Sequence, residues 1–510
     1  MFSHLSLSHR NVWRVWLFVL AALGCFAMLF ALNTFPGLNG DEAFQGLRWE
    51  WWFQPESSQG NHNISGRYAN YVLVLLIKGC QLVWGNTIWS LRLPTVILTL
   101  AGLLALFLCA RKFHSTDRSG LYLLAFLAHP LLLGYARIGW EPSGALVGAV
   151  LVWFPLFLPE DSLPRWQKLS LIVMGCALTL LAHPLFLINL LGIVAMVIWR
   201  NLERLPAPWP VRLQRTLVVI GLLPLVGMIG FLAYQYSGGF ALGIVGKYVL
   251  YVGEIFSGVR IFQYVVGTSW GLAHTAQAVG FTTTLVVSLV LLYRHERETL
   301  WFTLGAMGFA LAGFFVIQPK YPINLGNSRF LLFFLCLVCF LIARGATHLP
   351  IAWGRAMLVT YALVGFASFG WGYFAEGWKT ENHQAARAFW SGSSPTDPGP
   401  KVKAAKWLKQ HTSPQTVVMA GNFWIEKPLR YFLGKRIHFY WHPARRAFYP
   451  RPWRKFSWAI VGFVDEPGVR FLHQFFKKKN IPHQRHVIRT KRGREQIVIL
   501  YHPFAKPAKR

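Results

Sequence analysis

A series of long apolar segments, separated by short polar connections, constrains this chain more than any other feature. Each segment is about the length that a helix needs to cross the hydrocarbon core of a bilayer, although some are short. Hydrophobic residues make up 54% of the 510 positions, which excludes an ordinary soluble domain. We therefore predict a polytopic α-helical membrane protein with about eleven transmembrane helices. The segments occupy residues 13–32, 93–110, 119–136, 142–158, 168–182, 185–199, 214–233, 276–293, 300–317, 329–344 and 351–374.

The stretch from Tyr68 to Trp84 is also apolar, and the distribution of basic residues decides its placement. If it does not cross, the connections rich in Lys and Arg all lie on the side of Arg10 and Arg14, which precede the first span. The positive-inside rule makes that side cytoplasmic. We therefore predict a helix lying on the outer surface at 68–84, a cytoplasmic N-terminus and a C-terminus outside the plasma (inner) membrane. The first span has no clear small-residue cleavage site, so we expect an uncleaved anchor.

Two outer loops and a polar C-terminal region complete the predicted organisation. The membrane domain covers residues 1–378, with a first outer loop at 33–91 and a second, large outer loop at 234–275. A linker rich in Gly, Pro and Ser at 391–400 then precedes alternating helix-like and strand-like runs. We interpret residues 379–510 as a separate, small α/β domain outside the membrane.

This C-terminal region is strongly basic. It carries 27 Lys and Arg against 6 Asp and Glu, and this excess of positive charge is most of the net charge of +32 of the whole chain. On the outside of a membrane such charge indicates anionic lipid headgroups, phosphates or polyanionic glycans as partners. Nucleic acid is not expected there. The plainer alternative is a solvated basic face that holds the domain against the bilayer.

Two adjacent carboxylates follow the first span directly, in a chain that is poor in acids. The whole sequence has 19 Asp and Glu against 51 Lys and Arg, so Asp41 and Glu42 are not explained as solubilising charge. Carboxylates at the water edge of a membrane helix are costly to place near hydrocarbon. We predict that this pair belongs to a catalytic site on the outer face. The structural alternative is that Asp41 caps a helix beginning near Ala43.

Further ionisable residues converge on the same face under this topology. Groups of this kind at the membrane mark a functional site by default. For any single arginine, the alternative is a side chain that reaches out to the lipid headgroups. For His183, which precedes a proline, a capped turn is favoured over a functional role. The additional outer-face candidates are Arg48, His62, Arg67, Arg92, Arg137, Glu141, His183, Lys320 and Arg329.

Four short stretches, taken in order, resemble the GT-C glycosyltransferases of the protein O-mannosyltransferase and lipid A aminoarabinose transferase type. Gly40–Glu42 follows span one, where that family has an acidic motif. Residues 91–95, Leu-Arg-Leu-Pro-Thr, resemble the start of its second span, and residues 135–142 resemble a segment with Arg followed by an acid. Residues 327–331 resemble the start of a late span. The family also has a membrane-surface helix in its first outer loop, in agreement with the surface helix predicted at 68–84.

The resemblance implies an integral membrane enzyme that transfers a sugar from a polyprenyl-phosphate donor to an acceptor outside the cytoplasm. The acceptor hydroxyl must lose a proton as it attacks the anomeric carbon, and Asp41 is the candidate base. A single carboxylate without a second flanking nucleophile implies inversion. Glu42 would orient Asp41 or raise its pKa through like-charge proximity. The resemblance leaves open whether the acceptor is a protein, a lipid or a glycan.

The leaving group in this reaction is a lipid phosphate, which needs cationic or amide donors rather than a general acid. Arg329, Lys320 and Arg92 are the candidates for that contact. The supporting candidates are Arg137 with Glu141 as an ion pair, His62 and His183, although the ion pair is expected as readily to be a plain structural bridge. No metal ligand set is assigned, and the need for a divalent cation stays open.

Two other classes of function remain as alternatives. A transporter or flippase for a lipid-linked glycan would place charges near the middle of the membrane and show repeat symmetry. This sequence places its charges at one face, and no internal repeat is evident. A membrane anchor that presents the basic region as a binding module would leave Asp41 and Glu42 without a role.

Overall fold

The computed structural model describes most of the chain. The described residues are 9–53, 70–140, 142–157, 162–183, 186–202, 253–266, 268–317, 332–379, 396–420, 422–434, 437–439 and 457–503. The predicted span at 214–233 lies outside these residues, as do residues 234–252 and 267 of the predicted loop at 234–275 and half of the linker at 391–400.

Helices account for nearly all of the described residues before Lys379. A π-helix (Phe369–Ala375) and a 3-10 turn (Gly377–Lys379) continue the last of them. The α-helices are α1 (His9–Leu29), α2 (Gly40–Phe53), α3 (Tyr71–Trp84), α4 (Ile88–Phe113), α5 (Thr116–Leu127), α6 (Pro130–Ala136), α7 (Pro142–Trp153), α8 (Arg165–Ala182), α9 (Leu187–Leu202), α10 (Arg260–Val266), α11 (Leu272–His295), α12 (Arg297–Ile317), α13 (Leu332–Ala346) and α14 (Ile351–Ser368).

Length and composition identify the membrane-crossing helices. Within the described part of the chain, four helices are long and apolar enough to cross, or five if one bent pair counts as a single span. Four shorter apolar helices accompany them. These helices fit a multi-pass membrane protein. The count of eleven spans and the outer-surface position of α3 stay predictions.

The predicted span at 119–136 is interrupted rather than continuous. It consists of α5 and α6, whose axes differ by 68°. The break arises at Pro130, because proline has no N–H for the preceding turn and is favoured at the first position of a helix. The imidazole Nδ1 of His129 accepts the N–H of Leu131 at 3.2 Å and caps α6. The bend directs the end of α6, and with it Arg137, into the protein.

The helices meet at two chemically different ends. At one end, which we call the basic end, Arg344 bonds Glu296 at 2.9 Å and His114 at 2.9 Å, and Arg355 bonds Asp117 at 3.0 Å. These contacts join the end of α4, the start of α5, the α11–α12 junction, the end of α13 and the start of α14. The opposite end, which we call the motif end, contains the end of α1, the starts of α2 and α4, and the end of α14.

The C-terminal region forms a five-stranded mixed sheet with helices on both faces. Its strands are β1 (Val417–Ala420), β2 (Ile437–Phe439), β3 (Trp458–Phe463), β4 (Gln484–Arg489) and β5 (Glu495–His502), in the order β2-β1-β3-β5-β4. Strand β1 is parallel to β2 and β3, whereas β5 is antiparallel to β3 and β4. The fully buried β3 has the continuous apolar run expected of a strand that is covered on both faces.

Three helices cover this sheet, and two of them lie on one face. The helices are α15 (Pro400–His411), α16 (Phe423–Leu433) and α17 (Pro467–Lys478). Helices α15 and α16 share one apolar cluster with the sheet, and α17 packs in a second cluster with β3 and β5. Helix α16 also packs directly on α2 at the motif end of the membrane helices. The boundary between a membrane domain and a C-terminal domain near residue 379 stays a prediction.

The orientation of these two ends gives a testable expectation. In a background without native cysteines, Cys at the exposed Ser115 of the basic end should be shielded from an impermeant thiol reagent in intact cells. Cys at the exposed Gln415 of the C-terminal region should react, because the basic loops favour a cytoplasmic basic end. Labelling of the cysteine at residue 115 without labelling of the one at residue 415 would show that the basic end faces outward, contrary to this prediction.

Candidate functional site

The acidic motif opens α2 in a capping-box arrangement. The side-chain oxygen of Asn39 accepts the N–H of Asp41 at 2.6 Å, and the carboxylate of Glu42 accepts the N–H of Asn39 at 3.0 Å. The helix therefore starts three residues earlier than the predicted start near Ala43, and Asn39 rather than Asp41 is its cap. Both carboxylates lie in the first turn, where the helix dipole stabilises negative charge.

Glu42 is the buried member of the acidic pair. Its side chain is 0% exposed, and its oxygens accept bonds from Arg92 Nε at 2.8 Å and from an Arg92 terminal nitrogen at 2.9 Å. The N–H of Gly139 donates to the same carboxylate at 2.8 Å. With the bond from Asn39, protein donors occupy both oxygens. These bonds suit the predicted role of Glu42 in orienting Asp41, and a catalytic role for Glu42 stays a prediction.

Arg92 is likewise committed to the protein. It is 0% exposed, and beyond Glu42 it donates to the carbonyl oxygens of Leu32 at 2.9 Å and Gly37 at 3.2 Å. Four of its five N–H groups are thus used. In this geometry the bonds to the protein leave Arg92 poorly placed for the predicted contact with a donor phosphate. Its position in the second turn of α4 instead ties the start of α4 to the loop before α2.

Asp41 differs from Glu42 in its accessibility. It is half-buried, and it lies one residue before Glu42 in the same first turn. The Arg92 guanidinium neutralises the neighbouring Glu42 at close range, so the pair does not place two uncompensated charges side by side. Asp41 is therefore the more exposed carboxylate of the motif.

Lys401 is a component of this site that sequence reasoning missed. It lies in the first turn of α15, is 1% exposed, and donates from Nζ to the carbonyl oxygen of Leu38 at 3.0 Å. Burial lowers the pKa of Lys401 to about 7, although the carboxylates of Glu42 and Asp41 partly oppose that shift. The sequence contained no signal for it, because Lys401 is one lysine among many in a basic region.

Aromatic side chains of α16 cover the start of α2. Gly40 lies against them, since a Cβ at residue 40 would be 2.8 Å from the ring of Trp424 and 3.1 Å from that of Phe423. The rings of Phe44 and Phe423 lie 6.3 Å apart, and Lys427 Nζ lies 5.6 Å from each ring centroid. Only glycine permits this close approach of the helix start to the aromatic surface.

Arg137 holds the end of α1, and its supporting role in the site stays a prediction. It is 0% exposed and donates to the carbonyl oxygens of Ala27 at 2.7 Å, Met28 at 3.0 Å and Phe35 at 2.7 Å. Carbonyls in the last turn of a helix have no partner within the helix, and a cation there also complements the dipole. The guanidinium carbon lies 4.8 Å from the ring centroid of Phe374 in the π-helix. The predicted partner Glu141 lies outside the described residues, so the predicted ion pair stays a prediction.

The remaining candidates among the described residues are Arg48 and His183. Arg48 is 5% exposed, and its guanidinium carbon lies 4.9 Å from the ring centroid of Phe44. His183 is 3% exposed and forms the C-cap of α8, with its N–H donating to the carbonyl oxygen of Thr179 at 3.2 Å, as the capped-turn interpretation describes. Among the described residues, no group of three or more His, Cys, Asp or Glu side chains could hold a metal ion. The candidates that lie outside the described residues are His62, Arg67, Glu141, Lys320 and Arg329.

Comparison with solved structures identifies the fold. ArnT from Cupriavidus metallidurans in the apo state aligns over 97% of this chain and 98% of its own, with a TM-score of 0.57 and 11% sequence identity. The same protein bound to undecaprenyl phosphate aligns over 96% and 98%, with a TM-score of 0.56 and 12% identity. The Archaeoglobus fulgidus oligosaccharyltransferase, in a complex with Zn and sulfate, has a TM-score of 0.39 at 12% identity, over 82% of this chain and 61% of that protein.

Comparison of the sequence itself is less informative. No protein-family model matches it, and no curated protein matches it either. The likeness therefore lies in the three-dimensional arrangement, which extends from the first membrane helix through the C-terminal sheet. The resemblance to GT-C glycosyltransferases predicted from the sequence is confirmed at the level of the fold: over nearly its whole length, this chain has the fold of ArnT, a GT-C membrane glycosyltransferase.

Proposed function

We propose that this protein is an integral membrane glycosyltransferase that takes its sugar from a polyprenyl-phosphate donor, with Asp41 as the general base. In the reaction, the acceptor hydroxyl oxygen bonds to the anomeric carbon while the bond from that carbon to the phosphate oxygen breaks. The hydroxyl proton passes to Asp41, and the electron pair leaves with the lipid phosphate. Attack opposite to the leaving group inverts the anomeric carbon.

The observation that carries this proposal is the asymmetry of the acidic pair. Glu42 is fully bonded to Arg92 and to backbone N–H groups, whereas Asp41 is half-buried at the positive end of α2. A carboxylate that an acceptor can approach is what a general base requires. The fold likeness to ArnT bound to undecaprenyl phosphate supports a polyprenyl-phosphate-linked donor.

The leaving phosphate requires cations at the motif end. We retain Arg329 and Lys320 as the proposed contacts, because a charge-assisted bond to phosphate is strong where water is excluded. We do not retain Arg92 in this role, because Glu42 and two carbonyls occupy it. The acceptor is a protein, lipid or glycan outside the cytoplasm, and the C-terminal region lies on that side in this proposal.

Consumption of a lipid-linked sugar tests the proposed function. Purified protein in detergent or nanodiscs should release polyprenyl phosphate from synthetic polyprenyl-phosphate sugars when membrane extract supplies the acceptor. The same protein in liposomes should not move an intact lipid-linked glycan between leaflets. Flipping of the glycan without any release of polyprenyl phosphate would instead establish the transporter alternative.

A further inference from the structure

One side chain connects the C-terminal region to the acidic motif. Lys401 lies 363 positions along the chain from Leu38, yet its Nζ donates to the Leu38 carbonyl oxygen at 3.0 Å. Leu38 directly precedes Asn39, the residue that caps α2. The ammonium group therefore binds the loop whose geometry sets where Asp41 points.

The burial of Lys401 is chemically unusual. An ammonium ion loses several kcal/mol of solvation when it leaves water, so lysine is rarely buried without partners that compensate for the loss. Asp41 and Glu42 of α2 compensate in part, since both favour the charged form of Lys401. On α16, the carboxylate of Glu426 is committed within its own helix, because it bonds Lys427 at 3.0 Å and Arg430 at 2.7 Å.

Further contacts fix the distance between the two regions. The hydroxyl of Tyr431 donates to the carbonyl oxygen of Thr87 at 2.9 Å, and the side-chain amide of Asn86 donates to the carbonyl oxygen of Tyr431 at 2.9 Å. Tyr431 also packs in an apolar cluster with Leu38 and Leu47. With these contacts holding α16 on the membrane helices, Lys401 is held at a defined place beside the motif.

We propose that Lys401 is a positioning residue for the acidic motif, so that the C-terminal α/β region completes the catalytic centre. This inference rests on the proposed function for its kinetic consequence. The protonated side chain holds the Leu38 carbonyl and attracts the Asp41 carboxylate, which fixes the base relative to the acceptor. Loss of the charge releases that attraction without removing the base itself.

Kinetics of three variants test this role. Lys401→Met keeps the length of the side chain but removes the charge and the donor, and it should lower kcat by about 10- to 100-fold with little change in the KM for donor. Lys401→Arg keeps the charge and should retain most of kcat. Lys409→Met, a change at an exposed lysine of the same helix, should match the wild type.

The pH dependence separates positioning from packing. Because the pKa of Lys401 is lowered to about 7, the wild-type side chain is charged below that pH and neutral above it. The wild-type kcat should therefore fall as pH rises through about 7. Arginine does not lose its proton in this range, so Lys401→Arg should lack that decrease. A decrease that persists unchanged in Lys401→Arg, or an unchanged kcat in Lys401→Met, would overturn the inference.

A second measurement does not depend on activity. Hydrogen exchange of a peptide covering residues 37–47 should be faster in Lys401→Met than in the wild type and unchanged in Lys409→Met. If the wild-type protein consumes no lipid-linked sugar, the proposed function fails and exchange alone decides whether Lys401 orders the motif. Equal exchange in all three proteins would show that it does not.

Discussion

Asp41→Asn protein is expected to insert, fold and bind donor lipid as the wild type does, while its turnover falls by about 10²- to 10⁴-fold. Asparagine keeps the shape of the side chain and most of its hydrogen bonding but cannot accept the acceptor's proton. The side chain does not cap α2, because Asn39 does so, and the charge removed from the first turn contributes only about 0.3–1 kcal/mol. Turnover should therefore collapse without loss of the fold.

A matched substitution controls for the loss of a carboxylate. Asp117→Asn makes the same change at the basic end, where Asp117 bonds Arg355 at 3.0 Å and lies outside the proposed site. It should leave turnover near the wild-type level. Rates are measured as release of polyprenyl phosphate, donor binding by titration, and folding by thermal unfolding in detergent. Near-normal turnover in folded Asp41→Asn protein would remove Asp41 as the base.

The sequence was most informative where the physical signal is local. Apolar length and basic loops located the helices, and the acid pair after α1 located the motif, because both depend on neighbouring residues. The sequence also contains His129-Pro130, the point at which the helix breaks, although one continuous span was predicted there. The cap at Asn39 was likewise readable, since Asn followed three residues later by Glu is the pattern of a capping box.

The roles within the site could not be read in the same way, because they depend on contacts between distant residues. Glu42 and Arg92 are 50 positions apart, and nothing in either segment indicates that they bond each other rather than substrate. Lys401 and Leu38 are further apart still. The sequence thus named Asp41, Glu42 and Arg92 together as candidates at one face, but it could not show which of them bond to one another.

Removal of one partner of the buried ion pair between Arg92 and Glu42 should destabilise the protein strongly. Arg92→Met leaves the carboxylate of Glu42 buried without a cation and leaves the carbonyls of Leu32 and Gly37 without their donor. Removal of one partner of a buried pair typically costs about 3–5 kcal/mol. We expect a loss of that size in the free energy of unfolding, measured by denaturant titration in mixed micelles.

Two comparisons make this expectation specific to the buried pair. Arg200→Met breaks an ion pair whose side chains are 32% and 67% exposed, and exposed pairs contribute about 0–1 kcal/mol, so its effect should be small. The double variant Arg92→Met/Glu42→Gln should be more stable than Arg92→Met alone, because the uncompensated buried charge is gone. The gain should be partial, because the N–H groups of Asn39 and Gly139 bond different oxygens of Glu42 and the single oxygen of glutamine keeps only one of these bonds. If the double variant loses the sum of the two single losses, the residues act independently, and Arg92 does not hold the motif through Glu42.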